Sequence, residues 1–348
     1  MYYFATYFDK NYLSRGLVLY ESLQNNTSEF ILYVLCLDQE TVNFFHINEE
    51  TYPQVKCLTI EELENDDSDL KKCKNNRSRI EYYFTISPCL PLNLLKKYNI
   101  PHICSLDADI LFFSDPSKLF DYLNAASIII TPHKFSAELS GKEQFGIFNV
   151  SFQLFKNDEV GLACLNKWRE QCITWCGDYI DENTGFFADQ KYLDSWPEEY
   201  GKKLIVLNDK VSGLAPWNLN KYKLSFRNDK LYSGNEAVIF FHFHGFKIFT
   251  HKWASNWFNP YLVKTYKAIH SLYLNYWNKV SDMDLKWNFS SSSSVRYDLS
   301  MNIIDKILNE DGVYYRISRT TLKQMNFFNI NKRVKLVIIK FYGLLNKA

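Results

Sequence analysis

Two aspartates two positions apart, Asp107 and Asp109, interrupt the apolar run that extends from Ile100 to Phe113. The residues on either side suit a buried strand. On an extended segment side chains at i and i+2 point the same way, so the two carboxylates are expected to converge on one point. Carboxylate oxygens suit a hard cation such as Mg²⁺ or Mn²⁺, and a cation held there would find a second partner in a diphosphate. The plainer reading of Asp-x-Asp is a solvated turn. The apolar flanks favour the metal, because two charges inside a hydrophobic run need a partner to offset their desolvation.

Other polar groups also stand in apolar surroundings. Asn149 lies within residues 146–155, where a buried amide must find hydrogen bonds and a ligand is one candidate partner. Asp189 and Gln190 follow Phe186-Phe187-Ala188 at the expected start of a helix. His242 and His244 share a face by period two and lead into Gly245. They read either as packed core histidines or as metal ligands. Arg77 and Arg79 precede the strand that ends in the aspartate pair, and either could meet phosphate or lie at the surface.

Positioning these groups calls for a parallel α/β sheet. Residues 2–7 read as a strand, 13–23 as a helix with Leu17, Tyr20 and Leu23 at helix spacing, and 30–37 as an almost wholly apolar second strand. Strand, helix and strand in that order open a parallel sheet. Residues 76–95 look helical with interruptions at Pro88 and Pro91. A short helix over 116–123, a strand over 127–131 and an amphipathic helix over 159–175 follow, then strands over 204–207 and 238–243. The acids between Glu61 and Asp69 read as a solvated loop or helix edge, and Trp253, Trp257, Tyr261 and Tyr266 as an aromatic helical region.

The 348 residues are 47% hydrophobic, enough for a sizeable core, and are expected to form one domain over 1–250 and an extension over 251–348 with a Ser-rich linker at 290–294. The net charge of +1 hides an acid-free tail, since no Asp or Glu follows Asp311 while Lys and Arg recur to Lys347. Residues 334–345 mix Val, Leu and Ile with Lys over a length too short to span a bilayer. They read as a segment lying on an anionic membrane surface or as an ordinary terminal helix. Cysteines without a C-x-x-C pair disfavour zinc and a disulfide framework and suit a reducing compartment. Neither G-x-G-x-x-G nor G-x-x-x-x-G-K occurs, which disfavours a dinucleotide site or P-loop. No signal peptide, transmembrane segment or nucleic-acid partner is expected.

In this order the motifs resemble the GT-A glycosyltransferases, most closely family 8, which includes glycogenin and bacterial lipopolysaccharide galactosyl- and glucosyltransferases. The resemblance covers roughly residues 2–250. It implies a Rossmann-like, mostly parallel mixed sheet flanked by helices, followed here by a helical, basic C-terminal extension. It implies that Ala5, Thr6, Asp9 and Tyr12 hold the nucleotide, and that Asp107 and Asp109 bind Mn²⁺ (or Mg²⁺) and the donor diphosphate. By the same resemblance Asn149, Asp189 and Gln190 meet the donor sugar, the last two near the anomeric carbon. In His242-Phe243-His244-Gly245-Phe246-Lys247 one histidine would be the third metal ligand, and Lys247 would meet phosphate. Three departures stand out. Ser151 replaces the family's Gly, Lys247 follows Gly245 by two positions instead of three, and the family's helix Arg is matched only by Arg79, about one helical turn earlier.

The implied activity is hexose transfer from a UDP-sugar to a glycan or lipid-linked glycan, with retention, in surface polysaccharide or lipopolysaccharide assembly at the cytoplasmic face of a membrane. An inverting enzyme would instead use Asp189 as base on the acceptor hydroxyl. Two rival classes are a non-catalytic carbohydrate-binding protein on the same fold and a nucleotidyltransferase. The latter would need a Gly-rich basic loop after the first strand, which is missing.

Overall fold

The computed structural model describes residues 1–27, 29–249, 253–256 and 258–289, the backbone of 312–318 and 321–326, and Lys335. Apolar residues on both faces bury β1 (Tyr2–Phe8) and β2 (Phe30–Cys36), and α1 (Leu13–Asn26) crosses between them. The two strands therefore pair in parallel, from Tyr2 opposite Phe30 to Phe8 opposite Cys36. Asp38 caps α2 (Gln39–Ile47) by accepting from the Thr41 N–H, and the chain returns in edge strand β3 (Val55–Thr59). Then α3 (Ile60–Asp66), α4 (Ser68–Cys73) and α5 (Arg79–Tyr98) lead to β4 (His102–Leu106), parallel to β1 on its other side.

After β5 (Ile110–Phe112) and the short α6 (Ser117–Phe120), β6 (Ile128–Pro132) and β7 (Phe148–Lys156) extend the sheet. It is completed by α7 (Glu159–Thr174), α8 (Trp196–Tyr200) and β8 (Leu204–Val206). The order is β3-β2-β1-β4-β7-β6-β8, and β7 runs antiparallel to its neighbours β4 and β6. This is the mostly parallel mixed sheet expected from the sequence.

Each face carries its own core. Ala5, Leu35, Ile103 and Ile130 pack with Ile86, Leu165 and Trp168 of α5 and α7. On the other face Phe4, Leu32, Leu106 and Phe152 pack with Leu17 of α1 and with Tyr273 and Trp277 further along the chain. That side also holds β9 (Leu224–Arg227), β10 (Lys230–Ser233) and β11 (Glu236–Ala237), then β12 (Phe240–His242), β13 (Lys247–Ile248), β14 (Trp253–Ser255) and α9 (Lys267–Trp287). Strands β15 (Gly312–Ser318) and β16 (Thr321–Asn326) continue the sheet begun by β13 and β14. Packing continues past residue 250. Helix α9 shares a core with α1, and the Ser14 hydroxyl donates to the buried Asp284 carboxylate.

Several local expectations change. Helix α5 runs unbroken through Pro88 and Pro91, which are buried against the sheet, and a capping box of Ser78 and Glu81 starts it. Tertiary packing here outweighs the lost backbone bonds. The acidic stretch is not simply solvated: buried Glu64 accepts from Tyr82 Oη at 2.9 Å and Lys74 Nζ at 2.8 Å, and Asp67 caps α4 and pairs with Arg169. In the aromatic region Trp253 lies on a strand and the helix starts only at Lys267; Trp257 is outside the described residues, as are the 290–294 linker and, Lys335 apart, the 334–345 tail. Among the described residues no helix is long and apolar enough to cross a membrane.

Candidate functional site

The ribbon of β5 and β12 builds the site. The strands pair antiparallel with His242 opposite Ile110, and the Phe243 N–H donates to the Asp109 carbonyl at 3.0 Å. His242 is thereby set beside the segment that carries the aspartates. That segment is not extended, as period two required: β4 stops at Leu106, and a turn follows in which the Ile110 N–H approaches the Asp107 carbonyl at 3.4 Å. The turn converges the carboxylates all the same. One ligand atom each from Asp107, Asp109 and His242 lies within 4.8 Å of the others. His242 Nε2 stands 3.4 Å from Asp107 Oδ2 and 3.0 Å from Asp109 Oδ1.

Two carboxylates and an imidazole form a donor set suited to a divalent cation, and their charges act on one another. Burial pushes the Asp107 carboxyl up to about 6, against the pull of His242. Burial pushes Asp109 up as well, but His242, His244 and Arg15 outweigh it and hold Asp109 below its ordinary range. His242 is raised, its burial overcome by Asp109. His244 lies outside this cluster, with its ring 5.4 Å from that of His242, and burial takes it down to about 4. Trp217 packs edge-on to both rings, at 5.4 and 5.2 Å.

Asp189 is 1% exposed, and its Oδ2 has no partner among the described residues. Ala188 before it adopts a left-handed φ of 49°, a strained conformation for a residue with a side chain, and Trp168 Nε1 donates to the Asp189 carbonyl at 2.9 Å. Burial pushes the Asp189 carboxyl up to about 7, with Asp107 adding and a Ser87 hydrogen bond opposing. Gln190 donates through Nε2 to the Phe145 carbonyl at 2.8 Å. The buried amide of Asn149 finds its partners within the protein, not only in a prospective ligand. Its Nδ2 donates to the Thr131 carbonyl at 3.2 Å and its Oδ1 accepts from Ser151 N at 3.1 Å and from Ser151 Oγ. The Ser151 carbonyl in turn accepts from the Asp107 N–H at 3.0 Å, so Asn149 braces the strand that fixes Asp107.

Ala5 and Thr6 lie inside the sheet, 0% and 1% exposed, with Thr6 Oγ1 lacking a partner among the described residues. At the open end of β1, Asp9 accepts from Asn11 N at 2.9 Å and from the Arg79 guanidinium. Arg79 also donates to Tyr83 Oη at 2.7 Å, whereas Arg77 is tied to the Ile173 carbonyl at 3.1 Å. Tyr12 is 44% exposed beside Arg15, and Lys247 is exposed on β13. Sequence reading missed Arg15 and Trp217. Arg15 had a signal, since it shares a helix face with Leu19 and Leu23; Trp217 had none.

No family model matches the chain. It is 29% identical over 253 residues to the uncharacterized protein YfnD of Bacillus subtilis (strain 168), covering 72% of this chain and 80% of that one. It is 26% identical over 254 residues to the uncharacterized protein YfnF of the same strain, covering 70% and 82%. Similar solved structures include the galactosyltransferase LgtC in complex with donor and acceptor sugar analogues, at 14% identity, 70% and 87% coverage and a TM-score of 0.46. Mouse xyloside xylosyltransferase 1 in its apo form is 14% identical, with 70% and 98% coverage and a TM-score of 0.44. The glycosyltransferase GlyE of Streptococcus pneumoniae TIGR4 is 12% identical, with 83% and 64% coverage and a TM-score of 0.46.

Proposed function

We propose that this chain is a metal-dependent glycosyltransferase that moves a hexose from a nucleotide-diphosphate donor, a UDP-sugar, to a glycan or lipid-linked glycan. The observation that carries the reading is the convergence of Asp107, Asp109 and His242 within 4.8 Å. A buried carboxyl at Asp189 stands close enough for its charge to couple to Asp107. The three ligands would hold Mn²⁺ or Mg²⁺, which when bound supplies Lewis-acid stabilisation of the charge that develops on a diphosphate leaving group.

The chain's own groups do the rest. Asn149 and Ser151 hold Asp107 in register. Asp9, Arg79 and Tyr12 line the entrance for the nucleotide, and Lys247 meets phosphate. Asp189 and Gln190 orient the sugar, because a buried polar group left unpaired rejects a sugar lacking the matching hydroxyl. The composition of the tail, basic and free of acids, supports an acceptor presented at the cytoplasmic face of a membrane during surface polysaccharide or lipopolysaccharide assembly.

We take the transfer to proceed with retention, in keeping with the family 8 motifs. The carboxyl of Asp189, held near 7, favours a second reading in which it takes the proton of the acceptor hydroxyl and the configuration inverts. A panel of UDP-, GDP- and CMP-sugars with Mn²⁺, repeated in chelator, separates these readings when the anomeric form of the product is followed by NMR. Turnover of one UDP-sugar, abolished by chelator and reduced at least about 100-fold by Asp107→Ala, is the expected result. Absence of binding and turnover for every donor, with the fold intact, would move the weight to a carbohydrate-binding protein.

A further inference from the structure

Helix α1 places a cation on its buried side. Arg15 is 7% exposed, donates to the Asn11 carbonyl at 3.4 Å and to the Phe246 carbonyl at 3.2 Å, and lies over the Tyr12 ring at 4.7 Å. Guanidinium stays charged inside a protein, and burying it without a carboxylate partner is costly. Among the described residues its hydrogen-bond partners are these two neutral carbonyls, which leave N–H groups of the fork to spare. Phe246 belongs to the loop that runs from His242 to Lys247, so Arg15 sits between the first helix and the segment that supplies the imidazole of the metal cluster.

Charge balance indicates what the guanidinium is for. A divalent cation between Asp107 and Asp109 is neutralised by the two carboxylates themselves, which leaves the single ammonium of Lys247 against a diphosphate that carries more than one negative charge. A planar fork matches two phosphate oxygens in a way an ammonium does not. We propose that Arg15 is a diphosphate-binding residue, holding the two phosphates of the donor against the metal cluster from the α1 side. The inference rests on the nucleotide-diphosphate reading above for the identity of its ligand, but not for its chemistry.

The test measures dissociation constants by calorimetry for UDP, uridine and inorganic pyrophosphate, each with Mn²⁺, on wild type, Arg15→Gln and Arg15→Lys, with melting curves alongside. The expected result is a loss of about 10- to 100-fold for UDP and pyrophosphate in Arg15→Gln, a smaller loss in Arg15→Lys, and uridine unchanged in both. If wild type binds pyrophosphate but not UDP, and Arg15→Gln weakens pyrophosphate, Arg15 keeps its assignment while the nucleotide reading falls. An unchanged ratio of UDP to uridine affinity in Arg15→Gln, whatever its melting temperature, would reduce Arg15 to a structural tie and overturn the proposal. So would failure of wild type to bind either UDP or pyrophosphate. Should Arg15→Gln not fold, the same ratio in Arg15→Lys decides, since losing the fork must lower it several-fold.

Discussion

Replacing Asp189 by Asn should stabilise the protein, and by more at high pH than at low. The carboxyl is buried and pushed up from the ordinary 3.8 to about 7, chiefly by burial, so the fold favours its protonated form. A carboxyl raised in the folded state contributes stability below the unfolded value, near 3.8, and loses it as pH climbs through the folded value, near 7. Each pH unit of that window is worth about 1.4 kcal/mol, so the ionised group costs the wild type about 4 kcal/mol above pH 8 relative to a neutral isostere. At pH 5 about 1.7 kcal/mol of that cost is already present, and the advantage of Asp189→Asn therefore grows by roughly 2–3 kcal/mol between pH 5 and pH 8. For a chain of this length the growth corresponds to roughly 3–5 °C in melting temperature. The assay is thermal melting of wild type and Asp189→Asn at both pH values in chelator, which keeps cations from sharing the charge. An advantage that is equal at pH 5 and pH 8, or that shrinks with pH, would refute the burial of an ionisable Asp189 and with it any catalytic role that depends on a carboxyl near neutrality.

Two further outcomes follow from the same structure. Asn149→Ala removes the acceptor for Ser151 N and Oγ and the donor to Thr131, so it should cost about 1–3 kcal/mol in stability and loosen Asp107, weakening Mn²⁺ binding followed by calorimetry. A fall in melting temperature with Mn²⁺ affinity untouched would remove Asn149 from the support of the metal ligands. Of the cysteines, Cys57 is exposed while Cys36, Cys73, Cys89, Cys104, Cys164, Cys172 and Cys176 are buried, so a thiol reagent on the native protein should show a single fast equivalent that Cys57→Ser eliminates. More than one fast equivalent would contradict the packing of β2 and of α5 against α7.

What could be read from the chain and what could not divides along sequence distance. Strands β1, β2, β4 and β6 and helices α1 and α7 were legible because their apolar spacing is local and their burial leaves a signature of a few residues. Asp107 and Asp109 stood out for the same reason, although the convergence comes from a turn and not from period two. That His242 and not His244 converges with the aspartates was out of reach, because it depends on β12 pairing with β5 across roughly 130 positions, and register between distant strands is not written in either one. Pro88 and Pro91 misled because local backbone rules were weighed without the core that holds α5 in place. Asn149 shows the subtler case: the sequence correctly demanded hydrogen bonds for a buried amide, but only the paired strands reveal that Thr131 and Ser151 supply them. A Ser at position 151, where the resembled family has Gly, then ceases to be a defect in a motif, since its hydroxyl and amide are what Asn149 grips and its carbonyl is what Asp107 leans on. If that brace is sound, Ser151→Gly, which restores the family's residue, should keep the backbone bonds and lose only the hydroxyl's, and so should weaken the site less than Asn149→Ala does.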